Sequence, residues 1–139
     1  MARYVMVSLL IGIVFAVLDG LIHANPLAQR LYSVYQPIAK SSVNAPAGLV
    51  IDLVYGFVIT GIFILLFKSL PGSTGLMRGV SFAVLVWFLR VVMGVVGGWM
   101  TLNVPAKLHV YELLTGLGEM GILGVFLGIA FRGKIGVSG

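Results

Sequence analysis

Residues 4–24 read YVMVSLLIGIVFAVLDGLIHA, an apolar run interrupted only by Ser8, Asp19 and His23. An α-helix rises 1.5 Å per residue, so about 20 such residues cross a hydrocarbon layer about 30 Å thick. The run is longer than the apolar core of a typical signal peptide. We therefore expect it to be a membrane span that the protein retains.

Three more apolar runs follow, over residues 47–67, 76–100 and 108–131. None of them shows the alternation of apolar and polar residues that marks a membrane β-strand, and helices satisfy the backbone inside lipid. The sequence predicts an all-α integral membrane protein. We expect a four-transmembrane-helix bundle that forms a single membrane domain over residues 1–139.

The composition excludes several classes of protein. Of the 139 residues, 60% are hydrophobic and 9% are charged, which is far from a water-soluble domain. The absence of cysteine excludes disulfides, thiolate metal sites, iron–sulfur clusters and thiol catalysis. The net charge of +5 is typical of loops that face anionic lipid, so we expect a lipid bilayer and no nucleic acid as partner.

The connection between the first two spans predicts a short amphipathic helix over residues 26–38. Asn25 supplies a helix cap, and Pro26 follows at the first helical position. Pro37 should end or kink this helix. An interfacial connector and a lid over a site beneath it both fit this pattern. The apolar residues that recur at helical spacing are Leu27, Leu31, Val34 and Ile38.

Loop charge predicts the orientation of the bundle. An even number of spans places both termini on one side of the membrane. The positive-inside rule then favours cytoplasmic termini, because more Lys and Arg residues lie on that side. The residues compared are Arg3, Lys68, Arg78, Arg132 and Lys134 on the side of the termini, against Arg30, Lys40 and Lys107 on the other.

The ionisable residues inside the spans carry the strongest functional signal. All four acids of the chain fall within spans, and Arg90 is the one basic residue in a span interior. Each such group costs about 3 kcal/mol in lipid, so we expect them to face one another. Helical spacing and depth place them in the outer half of the bundle or near its midplane. The predicted ligand- or ion-binding cluster is Asp19, His23, Asp52, Arg90, Glu112 and Glu119, with His109 beside it.

The charges of this cluster do not balance. Four carboxylates face one guanidinium, which leaves three negative charges uncompensated at low dielectric if all are ionised. Protonated carboxyls, charged histidines, penetrating water or a bound cation would restore the balance. We therefore expect a small membrane protein that binds an ion or small ligand, and a proton- or cation-coupled transporter is one form of it. Glu119 and Asp19 would then carry the proton or cation, with Arg90 as counter-charge.

Other interpretations stay open. The charged residues could only fix helix register, in an accessory subunit of a larger membrane complex or in a homo-oligomer. A metal ion is an alternative, with His23, His109 and Glu112 as candidate ligands, and two histidines at similar depth could also bind haem. The sequence does not identify a cofactor. An enzyme is less expected, because no nucleophile motif or phosphate-binding loop is present.

Glycine spacing predicts close helix packing. Gly94 and Gly98 form one G-x-x-x-G motif, and Gly124 and Gly128 form another. This spacing permits close approach of helices in membranes.

Short motifs also resemble a family of small four-span prokaryotic membrane proteins of unknown function. They are Leu18-Asp19 followed by His23, the tyrosine-containing segment that ends at Pro37, and Gly118-Glu119 followed by two Leu-Gly pairs. The resemblance implies the four-span architecture and a prokaryotic cytoplasmic (inner) membrane. It also singles out Asp19, His23 and Glu119.

Overall fold

The computed structural model describes residues 1–132, so the predicted loop charge at Lys134 lies outside the described residues. It contains four helices long and apolar enough to cross a membrane, which confirms the predicted fold class. The helices are α1 Ala2–Ala24, α2 Pro26–Tyr32, α3 Ala45–Leu66, α4 Gly75–Trp87, α5 Met93–Thr101 and α6 Ala106–Ala130. A π-helical turn, Phe88–Val92, joins α4 and α5 into a third span over Gly75–Thr101. The first, second and fourth spans are α1, α3 and α6.

The connecting helix is shorter than the predicted 26–38. Asn25 caps it as expected, since its Oδ1 accepts a hydrogen bond of 2.9 Å from the backbone N–H of Ala28. The chain then tightens into a 3-10 turn over Ser33–Tyr35. Pro37 has no N–H to bond the carbonyl of Ser33, so the α-helical pattern cannot continue past it.

The four spans form two closely packed pairs. The first span packs along the second, the third packs along the fourth, and the fourth also contacts the first. The order across the bundle is therefore second, first, fourth, third. The second and third spans approach each other less closely and meet through side chains, such as Phe63 with Phe82.

Glycines set the closest contacts within both pairs. A Cβ on Gly12 of the first span would lie 2.8 Å from Leu53 Cα in the second. A Cβ on Gly128 would lie 2.6 Å from the carbonyl oxygen of Gly75. Gly79 and Gly124 meet in the same way one turn along. Only hydrogen fits at these positions, as in other close helix crossings in membranes.

The two predicted G-x-x-x-G motifs behave differently. The Gly124–Gly128 motif makes a close approach, and its partner is Gly75 with Gly79, a spacing that the sequence analysis did not single out. In the described part of the chain, a Cβ on Gly94 would have no neighbour within 4 Å. A Cβ on Gly98 would lie 3.6 Å from His109 Cε1, so within the described residues this motif meets a side chain and not the backbone of another helix.

Aromatic side chains close one end of the bundle, which we call the basal end because Met1 lies there. Phe63 of the second span contacts Phe82 of the third, with ring centroids 5.2 Å apart. It also lies 6.1 Å from the ring of Phe131. The guanidiniums of Arg3 and Arg78 cover this cluster, 5.4 Å above the ring of Phe131 and 4.7 Å above that of Phe67.

We call the opposite end of the bundle the α2 end. An apolar groove of about 410 Å³ lies between the second and third spans and extends from Leu66 and Phe82, near the basal end, past Ile62 and Leu85. Tyr55 and Arg90 also line this groove. A second and more polar cavity opens on the other side of Arg90.

Candidate ligand-binding cavity

A cavity of about 340 Å³ lies at the α2 end, between the first, third and fourth spans. Tyr32 and Tyr35 from the connection after the first span also line it, so this connection forms part of its wall. Five of the six predicted cluster residues and His109 line the same cavity. They are Asp19, His23, Arg90, Glu112, Glu119 and His109.

Arg90 and Glu119 form the deepest ion pair of the cavity. Arg90 Nη1 donates to Glu119 Oε2 at 3.1 Å, linking the third span to the fourth. The Glu119 side chain is 5% exposed, whereas that of Arg90 is 39% exposed. The carboxylate is therefore held inside the protein, and the guanidinium borders open space.

The π-helical turn positions Arg90. The backbone N–H of Met93 bonds the carbonyl of Phe88, five residues earlier, which adds one residue to the turn that carries Arg90. Such turns are rare and frequently occur at functional sites. No proline or glycine within residues 88–92 signals it, so sequence reasoning missed this feature.

Two aromatic rings hold the guanidinium from the other side. Arg90 Cζ lies 4.9 Å from the ring centroid of Phe15 and 5.0 Å from that of Tyr55. These rings stack on each other, with centroids 4.5 Å apart. Cation–π contacts of this kind favour a desolvated guanidinium. Arg90 therefore contacts all three other spans.

The remaining acids of the cavity pair with histidines. Asp19 Oδ1 lies 3.2 Å from His23 Nδ1, and Glu112 Oε2 lies 3.4 Å from His109 Nδ1. We expected several acids to gather around Arg90, but the structure pairs it with Glu119 alone. Three separate acid–base pairs surround the cavity instead of one compact cluster.

Two buried polar atoms on the cavity wall have no hydrogen-bond partner among residues 1–132. They are Glu119 Oε1 and His109 Nε2. Both residues are more than nine-tenths buried, at 6% and 7% exposure. A buried polar atom without a partner is costly, so each of these two atoms needs a proton, a water molecule or a ligand atom to satisfy it.

Asp52 does not line the cavity. It is partly buried on the second span and forms no ion pair within the described chain. The order of the spans explains this placement, because the first span lies between the second span and the fourth. Helical spacing did not indicate which helix lies beside the second span.

Sequence reasoning also missed a group of hydrogen bonds above the cavity between Asn25, Tyr111 and the carbonyl of Ile22, which we call the polar joint. Tyr111 of the fourth span donates to the carbonyl of Ile22 at 2.5 Å. Asn25 Nδ2 lies 2.8 Å from the Tyr111 hydroxyl and also bonds carbonyls at the end of the first span. Asn25 was predicted only as a cap, and a single tyrosine in an apolar run gives no signal for such a joint.

The tyrosines of the connection remain neutral. Burial, and then the negative charge of Glu112, raise the pKa of the Tyr32 phenol. Burial and Glu112 also raise the pKa of Tyr35. The ring of Tyr32 lies 5.3 Å from that of His23. The cavity therefore has aromatic walls with neutral hydroxyl groups near its acids.

The predicted metal ligands do not come together. His109 and Glu112 are adjacent, and His23 pairs with Asp19. Within residues 1–132, no group of three or more His, Asp or Glu side chains is arranged to hold a metal ion. The structure gives no support to the metal interpretation.

Comparisons with family models, with curated proteins and with solved structures find no match to this chain.

Proposed function

We propose that this protein binds a small cationic ligand in the cavity at the α2 end. The observation that carries the proposal is Glu119 Oε1, a carboxylate oxygen that is buried on the cavity wall without a partner. A buried carboxylate of this kind requires a proton, a hydrogen-bond donor or a positive charge.

The charge of the whole cavity supports a cation. Its lining contains three carboxyl groups and one guanidinium, which leaves a charge of −2 while both imidazoles are neutral. Arg90 cannot compensate more than one carboxylate, and it already bonds Glu119. An anionic ligand would meet this negative excess without a free positive group to receive it.

A proton- or cation-coupled transporter is the form of this function that the bundle favours. The aromatic cluster closes the basal end, while the cavity lies toward the α2 end. Arg90 joins the third span to the fourth through Glu119, next to the ligand space, so a cation that competes for Glu119 would weaken this link. Glu119 and Asp19 would then exchange a proton for the ligand.

The proposed location is the cytoplasmic membrane of a prokaryote, with both termini in the cytoplasm. The support comes from Arg3, Lys68 and Arg78 at the basal end, joined by Arg132. The cavity would then open toward the outside of the cell.

An accessory subunit or a homo-oligomer is the second candidate. Glycines on the outer surfaces of the third and fourth spans support it. A Cβ on Gly97 or Gly118 would have no neighbour within 4 Å in the described chain, so another helix could approach closely there.

Binding can be tested on the whole protein in lipid nanodiscs. We expect the melting temperature to rise when chloride salts of sodium, potassium or alkylammonium ions are added at constant ionic strength, because a bound ligand stabilises the folded state. Glu119→Gln should abolish the rise. Asp52→Asn is the matched control, since it removes a carboxyl of a span outside the cavity, and it should keep the rise. An unchanged melting temperature with every cation would refute the proposal.

A further inference from the structure

We infer that the ligand is a linear aliphatic diamine, with one ammonium group at each end of the cavity. This inference rests on the proposed cation-binding function and names its substrate class. The arrangement of the acids along the fourth span carries it.

The acids of the cavity lie at two levels. Glu112 and Glu119 both line it and are seven residues apart on one helix, which separates them by about 10 Å along the axis. Asp19 lies on the first span, five residues from its end at Ala24, and so belongs to the upper level with Glu112. The cavity is therefore acidic at its mouth and again at its base.

This separation excludes one bare ion as the common ligand of both levels. Metal–oxygen distances in proteins are about 2.0 to 2.6 Å, far shorter than the spacing between Glu112 and Glu119. The cavity volume of about 340 Å³ also exceeds the size of one ion. Since a water molecule takes about 30 Å³, the space accommodates about ten non-hydrogen atoms. A ligand that reaches both levels must be polyatomic and elongated.

The wall between the two levels is mainly apolar, and the hydroxyl of Thr115 there already donates to the carbonyl of Tyr111. Val91 and Val95 of the third span line this wall, and Gly116 lies between the two acids on the fourth span. A Cβ on Gly116 would lie 2.7 Å from Val91 Cγ2, so a larger residue there would displace this wall. Methylene groups suit this middle section because they need no hydrogen-bond partner.

Each level offers suitable acceptors for an ammonium group. At the base, Glu119 Oε2 accepts a hydrogen bond from Arg90, and Oε1 remains as the acceptor for a second cation. At the mouth, Asp19 and Glu112 face the cavity together with His23 and His109, and the ring of Tyr32 lies beside them. Two ammonium groups supply a charge of +2, which balances the −2 of the cavity with neutral imidazoles. Neutral phenol rings also favour a cation by cation–π attraction.

The experiment compares ligands of similar length on the whole protein in nanodiscs, by isothermal titration calorimetry at constant ionic strength. We expect diaminopentane to bind at least ten-fold more tightly than pentylamine and aminopentanol. A series of diamines from diaminopropane to diaminooctane should show one optimum length, because both acidic levels must be reached.

Variants separate the two levels. Glu112→Gln should reduce the affinity for diaminopentane to that for pentylamine and leave pentylamine binding within two-fold, because the single ammonium group binds at Glu119. Glu119→Gln should weaken both ligands. Asp52→Asn should change neither. The ligand series on the wild-type protein gives a result even if a variant does not fold.

Pentylamine or aminopentanol binding as tightly as diaminopentane would overturn the diamine inference, while the proposed cation binding would stand. Binding of sodium or potassium without binding of any diamine would also overturn the diamine inference and leave the proposed cation binding in place. No binding of any cation would refute both the inference and the proposed function.

Discussion

The basal end and the α2 end of this bundle are built by opposite means. At the basal end, glycines bring helices into backbone contact and phenylalanine rings fill the remaining space. At the α2 end, the helices separate and three acid–base pairs line the gap. The third span takes part in both, since Gly79 touches the fourth span while Gly94 borders the cavity. The comparison shows that small residues determine where the spans meet, and charged residues occupy the space where they do not.

The largest effect is expected at the glycine contact of the basal end. Gly79→Leu places a side chain against the backbone of Gly124, so the third and fourth spans must move apart. Overpacking typically costs about 1 to 3 kcal/mol, and a clash between two backbones should reach about 3 kcal/mol or more. Thermal unfolding in nanodiscs measures it.

Gly97→Leu is the control, because a Cβ there meets nothing within 4 Å in the described chain. Its free energy of unfolding should lie within about 0.5 kcal/mol of that of the wild type, as is usual for a surface substitution. Equal losses in the two variants would contradict the role we give to the glycine contact.

The next effect concerns the ion pair that links the third and fourth spans at the cavity. Arg90→Met leaves Glu119 buried without its partner and should destabilise the fold by about 2 to 3 kcal/mol. This figure is below that for fully buried pairs because Arg90 is 39% exposed. Urea-induced unfolding in detergent micelles measures it.

A double variant tests whether the loss comes from the unpaired charge. Arg90→Met combined with Glu119→Leu removes both charges, so it should recover most of the stability. The same double variant should lose cation binding. Additive losses would show that the two residues do not act as a pair.

A smaller effect is expected at the polar joint above the cavity. Asn25→Ala removes the cap of α2 and the contact with Tyr111, and should cost about 1 kcal/mol. Hydrogen exchange should increase in α2 and in the 3-10 turn after it. Asn44→Ala is the control, because Asn44 caps only α3 and lies away from the cavity lining. Faster exchange in α2 in the control would contradict the proposed joint.

The smallest effect is a dependence of stability on alkaline pH. The pKa of Tyr32 is raised above its ordinary value of 10.0 by burial and by Glu112, so its neutral form is favoured in the folded protein. Its contribution is fully present below pH 10 and is lost as the pH rises through the folded-state pKa. Phenolate absorbance should show late-titrating groups, and Tyr32→Phe should remove one of them. The variant should also unfold with less dependence on pH above 10. Titration of every tyrosine near the ordinary value would contradict this placement.

The fold class was predictable because it depends on the length and polarity of apolar runs. All four predicted spans lie within a few residues of the observed helices. The connecting helix was predicted too long because the apolar pattern continues to Val34 and Ile38, whereas the α-helix ends at Tyr32. A periodic pattern of side chains does not show where the helical hydrogen bonds end.

The site was predictable in part for the same physical reason. Helical spacing indicates which residues share a face, and it brought Glu112 and Glu119 together correctly on the fourth span. Spacing does not indicate which helices are neighbours. Asp52 was therefore placed in the cluster, although the cavity lies between the other three spans. It also gave no sign that Arg90 would bind one acid while histidines took two others.

The π-helical turn at Phe88–Val92 changes the phase of the third span. An α-helix advances about 100° per residue, so one extra residue rotates everything beyond it by that angle. Val95 and Gly98 line the cavity in this rotated frame. Deleting one residue from the turn would keep every acid and histidine in the chain, yet it would swing this part of the wall toward lipid. The ligand space therefore depends on chain length at this point as much as on its charged residues.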